Sequence, residues 1–354
     1  MKKKVFVGLS GGVDSAVSAA LLKKQGFSVT GVFIKVWQPD FLPCSWREER
    51  RDAMRVAAAL EIPFLFFDFS DEYKKGVVDR AIAEYKLGLT PNPDVLCNKE
   101  IKFGSFWKRA RELGADFIAT GHYARVEGGK LLEGRDGEKD QSYFLWTIPR
   151  ADLPHILFPI GDLEKKEVRK LAQKFGLPVS EKKDSQGICF IGDVEMSEFL
   201  SYFIPPKRGK VLDTKGVAIG LHQGAVFYTI GERHGLEITK KKSTDGAFYV
   251  VAKDLKANTL TVSNHEPEII SYSPKGVVAG DLNLITEPSS SRTTARIRYR
   301  GEKVPVTLQK LEDKLEIKFD KPMKGLSLGQ SIVLYDKETC LGGGVMEKVF
   351  LGYN

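Results

Sequence analysis

Apolar positions in the first 200 residues occur in two alternating patterns. A short apolar run at 5–9 is followed by a glycine turn, and residues 15–24 place apolar side chains at helical spacing until a stop at Gly26. The same order repeats, so we predict strands over 29–37, 63–69 and 116–120, helices over 48–60 and from Asp71, and a loop over 90–102. Strands that alternate with helices of this length form a doubly wound parallel sheet, which binds ligands at the carboxyl ends of its strands.

The pattern changes after Pro205 and Pro206. Short β-branched runs such as 210–212 and 260–262 are separated there by Gly, Asn and Pro, which predicts an all-β second half. A hinge predicted at 267–274 divides this half into two small β modules. We therefore expect an α/β plus all-β protein with domains at 1–200, 201–267 and 268–354.

Composition supports a folded protein without a membrane domain. The 354 residues are 42% hydrophobic and 28% charged, as in ordinary globular domains. No apolar run approaches the ~18 residues of a membrane span. Met1 and three lysines precede an apolar run too short for a signal peptide, so we expect a cytoplasmic protein.

The net charge of +8 is uneven along the chain. Residues 201–354 hold 23 basic and 17 acidic side chains, whereas residues 1–200 hold 31 and 29. This asymmetry is typical of a protein that binds a polyanionic partner partly through its second half. Many proteins that bind no nucleic acid nevertheless carry a similar excess of positive charge.

Four cysteines, Cys44, Cys97, Cys189 and Cys340, form no Cys-x-x-Cys pair. Their wide spacing argues against a zinc ribbon, a disulfide scaffold and an iron–sulfur cluster, so we expect no metal on the cysteines. Isolated thiols are either inert small apolar groups or reactive ones.

The strongest local signal is Ser-Gly-Gly-Val-Asp-Ser at 10–15, the segment we call the nucleotide loop. Glycines let the backbone approach an anion, the hydroxyls of Ser10 and Ser15 donate to it, and the following helix presents free N–H groups. No Gly-Lys-Ser/Thr follows, so this is not a loop that holds a γ-phosphate through its own lysine. The alternative is a plain glycine turn with a serine cap. Asp14 is a candidate magnesium ligand or a turn former.

Two further segments surround cysteines. Cys97 follows two prolines and is flanked by Lys99 and Lys102, cations that favour a thiolate. Cys189 is bounded by glycines within residues 184–192. The alternatives are a buried structural cysteine at the first position and a strand cysteine in a packed core at the second.

The nucleotide loop resembles that of the PP-loop ATP pyrophosphatase superfamily, whose members cleave ATP between its α and β phosphates. Nearly the whole chain is similar, in order, to the tRNA-specific 2-thiouridylase (MnmA/TrmU) family. The segments that carry this similarity are 10–15, 33–35, 90–104, 119–125, 139–145, 184–192, 227–231, 296–300 and 329–330. The chain departs from the family pattern at Ile34, where methionine is usual and where the resemblance places the adenine, and at 234–237.

The resemblance implies an adenine nucleotide alpha hydrolase-like domain, then two β modules of which the last is a β-barrel. It also implies ATP with Mg²⁺ as cofactors, a tRNA with a wobble uridine as substrate, a persulfide donor such as a cysteine desulfurase or sulfur-relay protein, and a monomer. The uridine C2 oxygen would be adenylated, and sulfur would come from a persulfide on Cys189. Cys97 would attack that persulfide to leave a transient Cys97–Cys189 disulfide, with Asp94 as a proton shuttle.

The resemblance further assigns binding residues. Those implied for ATP are Gly8, Leu9, Ser10, Gly11, Gly12, Val13, Asp14, Ser15, Ile34 and Gly121. Those implied for tRNA are Asn92, Pro93, Asp94, His122, Lys139, Asp140, Gln141, Arg298, Tyr299 and Gln330. We expect a basic strand with Arg292, Arg296, Arg298 and Arg300 to hold phosphates, the alternative being a solvated barrel face.

Two other functions remain open. Another adenylating PP-loop enzyme would explain residues 10–15 but would give the two cysteine segments no role. A noncatalytic RNA-binding protein would need no phosphate loop. Conversion of ATP to AMP that depends on RNA would distinguish these two functions from the tRNA thiolation that the resemblance implies.

Overall fold

The computed structural model describes residues 2–41, 46–183, 194–240 and 246–350. Cys44 and the whole predicted segment around Cys189 lie outside this range. In chain order the helices are α1 (Val13–Lys24), α2 (Trp46–Ala59), α3 (Ser70–Tyr73), α4 (Arg80–Lys86), α5 (Pro93–Cys97), α6 (Phe106–Glu112), α7 (Lys165–Lys174), α8 (Met196–Ser201) and α9 (Glu266–Ser271). Two π-helical segments span Lys74–Asp79 and Asn98–Ser105.

The strands divide into an N-terminal and a C-terminal group. The first group is β1 (Lys4–Gly8), β2 (Ser28–Lys35), β3 (Phe64–Asp68), β4 (Phe117–Ala119), β5 (Ala124–Glu127), β6 (Lys130–Glu133) and β7 (Ile156–Leu157). The second is β8 (Gly209–Leu212), β9 (Ala218–His222), β10 (Glu237–Ile238), β11 (Tyr249–Asp254), β12 (Thr259–Ser263), β13 (Gly276–Leu284), β14 (Arg292–Arg296), β15 (Val304–Leu311), β16 (Lys314–Phe319), β17 (Ser331–Asp336) and β18 (Thr339–Phe350).

The N-terminal domain is built on a parallel sheet of order β3-β2-β1-β4-β7. β1 is central and its apolar side chains are buried, as expected for a strand covered on both faces. One core contains side chains of α1, α2 and α7, and the other contains side chains of α3 to α6. The strand order reverses between β1 and β4, and this switch point is where such sheets bind ligands. The predicted α/β domain is confirmed.

The predicted loop over 90–102 is wrong, because α5 begins inside it and continues as a π-helical segment. The Asn92 side chain accepts hydrogen bonds from the N–H groups of Asp94 (3.1 Å) and Val95 (3.2 Å). Pro93 occupies the first turn, where a missing N–H costs nothing. Asn-Pro is therefore a helix start here, and Cys97 is the last residue of α5.

The second half is all-β, as predicted. The middle module is a five-stranded sheet of order β10-β9-β8-β12-β11. The last module is an antiparallel barrel of order β13-β16-β15-β14-β17-β18, which closes through the pairing of β13 with β18. The short helix α9 stands at the predicted hinge, with Pro267 in its first turn.

One feature of the barrel was not predicted. The hairpin of β5 and β6, which precedes the last strand of the N-terminal sheet in the chain, pairs with β18 and extends the barrel sheet. The register joins Leu131 to Cys340 and Leu132 to Thr339. The N-terminal domain and the barrel thus share a β-sheet. Within the described residues, no helix is both long and apolar enough to cross a membrane.

Candidate functional site

The nucleotide loop lies between β1 and α1 and is lined by two serine hydroxyls. The Oγ atoms of Ser10 and Ser15 are 3.3 Å apart, and Ser15 Oγ also donates to the carbonyl of Gly12 at 3.1 Å. Gly11 has a φ of +75°, and a Cβ there would lie 2.5 Å from the carbonyl oxygen of Glu49. Only glycine fits this position.

The start of α1 faces the same loop. This helix has 12 residues and no side-chain hydrogen bond at its N-terminal cap. Its first N–H groups and the positive end of its dipole are therefore directed at the loop, together with the two hydroxyls. Such an arrangement binds an anion.

Residues from the neighbouring strands complete the edge of the sheet. Gly121 follows β4, and a Cβ at this position would lie 2.7 Å from the backbone nitrogen of Ser15. Ile34 is half-buried near the end of β2, on the other side of β1. Gly121 thus packs against the nucleotide loop at the switch point, whereas Ile34 lies one strand away on β2. Gly8 and Leu9 lead into the loop, and Gly12, Val13 and Asp14 continue it into α1.

Sequence reasoning missed the two groups that bind the loop carboxylate. Lys165 Nζ lies 2.7 and 2.8 Å from the two carboxylate oxygens of Asp14. The hydroxyl of Tyr123 donates to the same carboxylate at 3.0 Å. Glu164 and Glu167 form a capping box at the start of α7, a signal that could have located the helix but not its contact with a residue 151 positions away.

A second lysine–aspartate pair lies beside the loop. Lys182 Nζ contacts the carboxylate of Asp52 at 2.7 Å. The Cβ of Asp52 is 3.2 Å from where a Cβ on Gly11 would stand. The segment between 164 and 183 therefore supplies two cations to the surroundings of the nucleotide loop.

The loop also has the composition expected of a magnesium nucleotide site. Mg²⁺ is usually held by one or two carboxylates together with the phosphates of its substrate. Asp14 is the carboxylate within the loop. In the part of the chain that the structure describes, no group of three or more His, Cys, Asp or Glu side chains is placed to hold a metal. Asp14 thus fits a magnesium ion that arrives with a nucleotide.

The segment after Cys97 contacts the residues beside the loop. Cys97 is buried at the end of α5, with 3% of its surface exposed. Five residues later, Lys102 Nζ lies 3.5 Å from Nε2 of His122, which follows Gly121 directly. Lys99 is exposed. The cysteine segment and the nucleotide loop therefore meet around residues 120–122.

His122 is buried and electrically neutral. Its Nδ1 lies 2.7 Å from the hydroxyl of Thr120. Burial, and then the charge of Lys102, lower the pKa of His122 well below its usual 6.5. A neutral imidazole at this position hydrogen-bonds without adding positive charge.

A polar crevice of about 560 Å³ lies beside the contact between the 137–140 loop and the barrel. Its lining includes Lys139, Asp140, Arg296 and Arg300. Asp140 is 4% exposed and accepts hydrogen bonds from the N–H groups of Gly134 and Ser142, the hydroxyl of Ser142 and the guanidinium of Arg296. Asp140 therefore organises the loop that carries Lys139 and Gln141.

The predicted basic strand is shorter than expected, because β14 ends at Arg296. Arg292 pairs with Asp320, and Arg296 pairs with Asp140 and Glu133, so these two arginines have protein partners. Arg298 and Arg300 lie beyond the strand, in a turn that becomes exposed because the chain leaves the sheet.

Arg298 joins two β modules. Its NH2 group donates to the carbonyl of Ile230 in the middle module (3.1 Å) and to that of Gly325 in the barrel (2.7 Å). Tyr299 packs against Phe144 of the N-terminal domain, with ring centroids 4.5 Å apart. At 234–237, where the chain departs from the family pattern, Glu237 pairs with Arg208 at 2.8 Å.

Gln330 lies where the barrel contacts the start of the cysteine segment. The preceding residue, Gly329, packs against Leu89 and Thr90. The backbone N–H of Thr90 donates to the carbonyl of Leu328 at 2.7 Å.

The other described cysteine has different surroundings. Cys340 is fully buried in the barrel, and burial raises the pKa of its thiol to about 12. It is therefore a neutral thiol at physiological pH.

Comparisons with known proteins identify the family. Three family profiles match in order: a "tRNA methyl transferase HUP domain" at 3–193, a "tRNA methyl transferase PRC-barrel domain" at 197–264 and an "Aminomethyltransferase beta-barrel domain" at 275–346. A solved U34-tRNA thiolase from Methanococcus maripaludis is 19% identical with a TM-score of 0.38, and the match covers 57% of this chain and 65% of that one.

Curated relatives match over nearly the whole chain. The tRNA-specific 2-thiouridylase of Proteus mirabilis is 47% identical and that of Escherichia coli K12 is 46% identical. Each match covers 98% of this chain and 97% of the relative. The chain belongs to the tRNA-specific 2-thiouridylase family.

Proposed function

We propose that this protein catalyses the ATP-dependent 2-thiolation of the wobble uridine of tRNA. The observation that carries the proposal is the meeting of the nucleotide loop with the cysteine segment. Gly121 packs against the loop at Ser15, and the adjacent His122 contacts Lys102 in the segment that follows Cys97. Membership of a family whose relatives are named tRNA-specific 2-thiouridylases supports the same reaction.

The uridine C2 oxygen is a poor leaving group and must be activated. It attacks the α-phosphorus of ATP, and the bond to the bridging oxygen breaks, so that pyrophosphate leaves with the electron pair. The hydroxyls and N–H groups of the nucleotide loop hold the phosphates during this step. Mg²⁺, held by Asp14 and the phosphates, would neutralise part of their charge.

Two cysteines carry out the sulfur transfer. Cys189, which lies outside the described residues, carries a persulfide taken from a donor protein. The Cys97 thiolate attacks the sulfur bonded to Cys189, which releases the terminal sulfur as hydrosulfide and leaves a disulfide. The hydrosulfide replaces AMP at C2, and a thiol reductant supplies two electrons to reopen the disulfide. Asp94, in the first turn of α5, shuttles the protons.

The substrate base must leave its stack to reach the site. Asn92 and Pro93 shape the pocket for it, and His122 and Gln330 lie beside the same segment. The crevice with Lys139 and Gln141 and the turn with Arg298 and Tyr299 hold the RNA backbone. The protein acts as a monomer with tRNA and a persulfide donor as its partners.

Two rival functions explain less of the molecule. Another adenylating PP-loop enzyme would leave the cysteine segment beside the nucleotide loop without a role. A noncatalytic RNA-binding protein would have no use for a glycine loop followed by a helix whose N-terminus has no side-chain cap.

Mass analysis of nucleosides tests the proposal. The protein is incubated with tRNA, ATP and a sulfide source, and we expect 2-thiouridine at the wobble position together with AMP and pyrophosphate. Replacement of Ser10 or Asp14 with alanine should abolish this turnover and leave the fold intact. Formation of ADP and phosphate, or of no thiolated nucleoside, would refute the proposed reaction.

A further inference from the structure

We propose that Lys165 binds the pyrophosphate half of ATP and supplies the cation that the nucleotide loop itself lacks. This inference rests on the proposed use of ATP. No lysine occurs in residues 10–15, yet the fold places Lys165 Nζ 2.7 Å from the carboxylate of Asp14 within that loop. Only 16% of the lysine side chain is exposed, so its position is fixed by the protein.

The backbone around Lys165 holds it at this place. Its N–H donates to the carboxylate of Asp136 at 2.9 Å, and the N–H of Glu164 donates to Glu167 at 2.7 Å. These contacts fix the first turn of α7. The lysine stem is therefore directed to the loop by a rigid helix start.

The strand order indicates which end of the nucleotide Lys165 meets. Ile34, assigned to the adenine, lies on β2 on one side of β1, whereas α7 follows β4 and β7 on the other side. A nucleotide whose adenine lies at Ile34 and whose phosphates enter the loop extends toward α7. Lys165 is thus placed at the phosphate end.

Asp14 and Tyr123 keep Lys165 in place before ATP binds. The carboxylate neutralises the lysine, and the Tyr123 hydroxyl satisfies the same carboxylate at 3.0 Å. Phosphate oxygens, which carry more negative charge, take over the ammonium group and leave Asp14 available to Mg²⁺. When the bond between the α and β phosphates breaks, its electron pair remains on the pyrophosphate, where Lys165 stabilises it.

Calorimetric binding of two ligands tests this assignment. α,β-methylene-ATP has the pyrophosphate end but cannot be cleaved, whereas AMP lacks that end. Lys165→Met should weaken binding of the analogue about tenfold or more, as expected for a charge-assisted contact, and leave binding of AMP unchanged. Lys166→Met is the matched control, because Lys166 is the next residue of α7 and its side chain is 74% exposed. Unchanged binding of the analogue, or equal loss of both ligands, would overturn the inference.

A second variant separates phosphate binding from a merely structural ion pair. Asp14→Asn removes the carboxylate that competes for Lys165, so it should bind the analogue more tightly than the wild type when EDTA removes divalent ions. A structural pair predicts weaker binding and refutes the inference. If the wild-type protein binds no analogue at all, the proposed function fails instead.

Discussion

Cys97 and Cys340 are both buried, but their surroundings differ. Cys340 has a thiol pKa of about 12 because of burial, so Cys340→Ser should keep full thiolation activity. Cys97→Ser should accumulate sulfane sulfur on the protein without forming thiolated tRNA, because the attacking thiolate is lost. Cys189→Ser should prevent that accumulation. Cyanolysis measures the protein-bound sulfur, and AMP formation should persist in all three variants.

One result would contradict this assignment of roles to Cys97 and Cys189. If Cys189→Ser thiolated tRNA at a normal rate with a persulfide donor, Cys189 would not be the sulfur carrier. Cys44→Ser should behave as Cys340→Ser does, since its sequence neighbours suggest no chemistry.

His122 makes the protein sensitive to acid. Its folded-state pKa is lowered below 6.5, so the unfolded chain binds a proton near pH 6 that the folded chain does not. The free energy of unfolding therefore falls as the pH drops below about 6.5, by roughly 1 kcal/mol over the first pH unit. His122→Gln should remove this contribution. Denaturant unfolding of both proteins between pH 7.5 and 5 measures this contribution, and below pH 6.5 the two free energies of unfolding should differ in slope by ~1 kcal/mol per pH unit.

His222 provides an internal reference, because burial also lowers its pKa and it is present in both proteins. Only the difference between the two pH profiles belongs to His122. If the two proteins showed the same dependence of unfolding free energy on pH, His122 would bind a proton as readily in the folded protein as in the unfolded chain.

The start of α5 depends on the barrel. Gly329 has a φ of +88°, and a Cβ there would lie 2.9 Å from the backbone nitrogen of Thr90. Gly329→Ala should displace the segment that leads to Cys97 and lower kcat for thiolation about ten- to a hundredfold. Binding of α,β-methylene-ATP should not change, because the nucleotide loop lies elsewhere.

Gly216→Ala is the matched control for this variant. Its φ is +82°, but a Cβ there meets nothing within 4 Å. Both variants bear a similar backbone cost of about 1–2 kcal/mol. Equal loss of kcat in the two would show that strain alone, and not the contact with Thr90, explains the effect.

The elements show which features the sequence can predict. The turn between β1 and α1 and the strands β1 to β4 of the parallel sheet have local signals and were predicted, whereas the two-residue strand β7 was not. α5 was missed although Asn92 and Pro93 form a helix start, because two prolines suggested a stiff loop. The pairing of β6 with β18 and the contact of Lys165 with Asp14 join residues that are far apart in the sequence. A local sequence pattern does not predict such contacts.

The N-terminal domain and the barrel form one structural unit through charged side chains as well as a shared sheet. Glu133 of the β5–β6 hairpin pairs with Arg296 at 2.8 Å and with Lys303 at 2.7 Å. Arg296 also binds Asp140 at 2.7 Å. Removing one partner of such a half-buried network leaves an unpaired charge, so these contacts favour one orientation of the two domains. The proposed RNA surface is thereby held at a fixed distance from the nucleotide loop.

Arg298 stands where the three domains approach each other, and two substitutions separate its charge from its geometry. Arg298→Ala should weaken tRNA binding and reduce the slope of log K against log salt by about one, because one phosphate contact is lost. Arg298→Lys should keep the wild-type slope but lose affinity, since an ammonium group cannot replace the planar fork that binds the carbonyls of Ile230 and Gly325. Arg292→Ala, which removes a charge already paired with Asp320, is the control and should keep both values. Filter binding across a salt series measures them, and an unchanged slope for Arg298→Ala would place the RNA on another face.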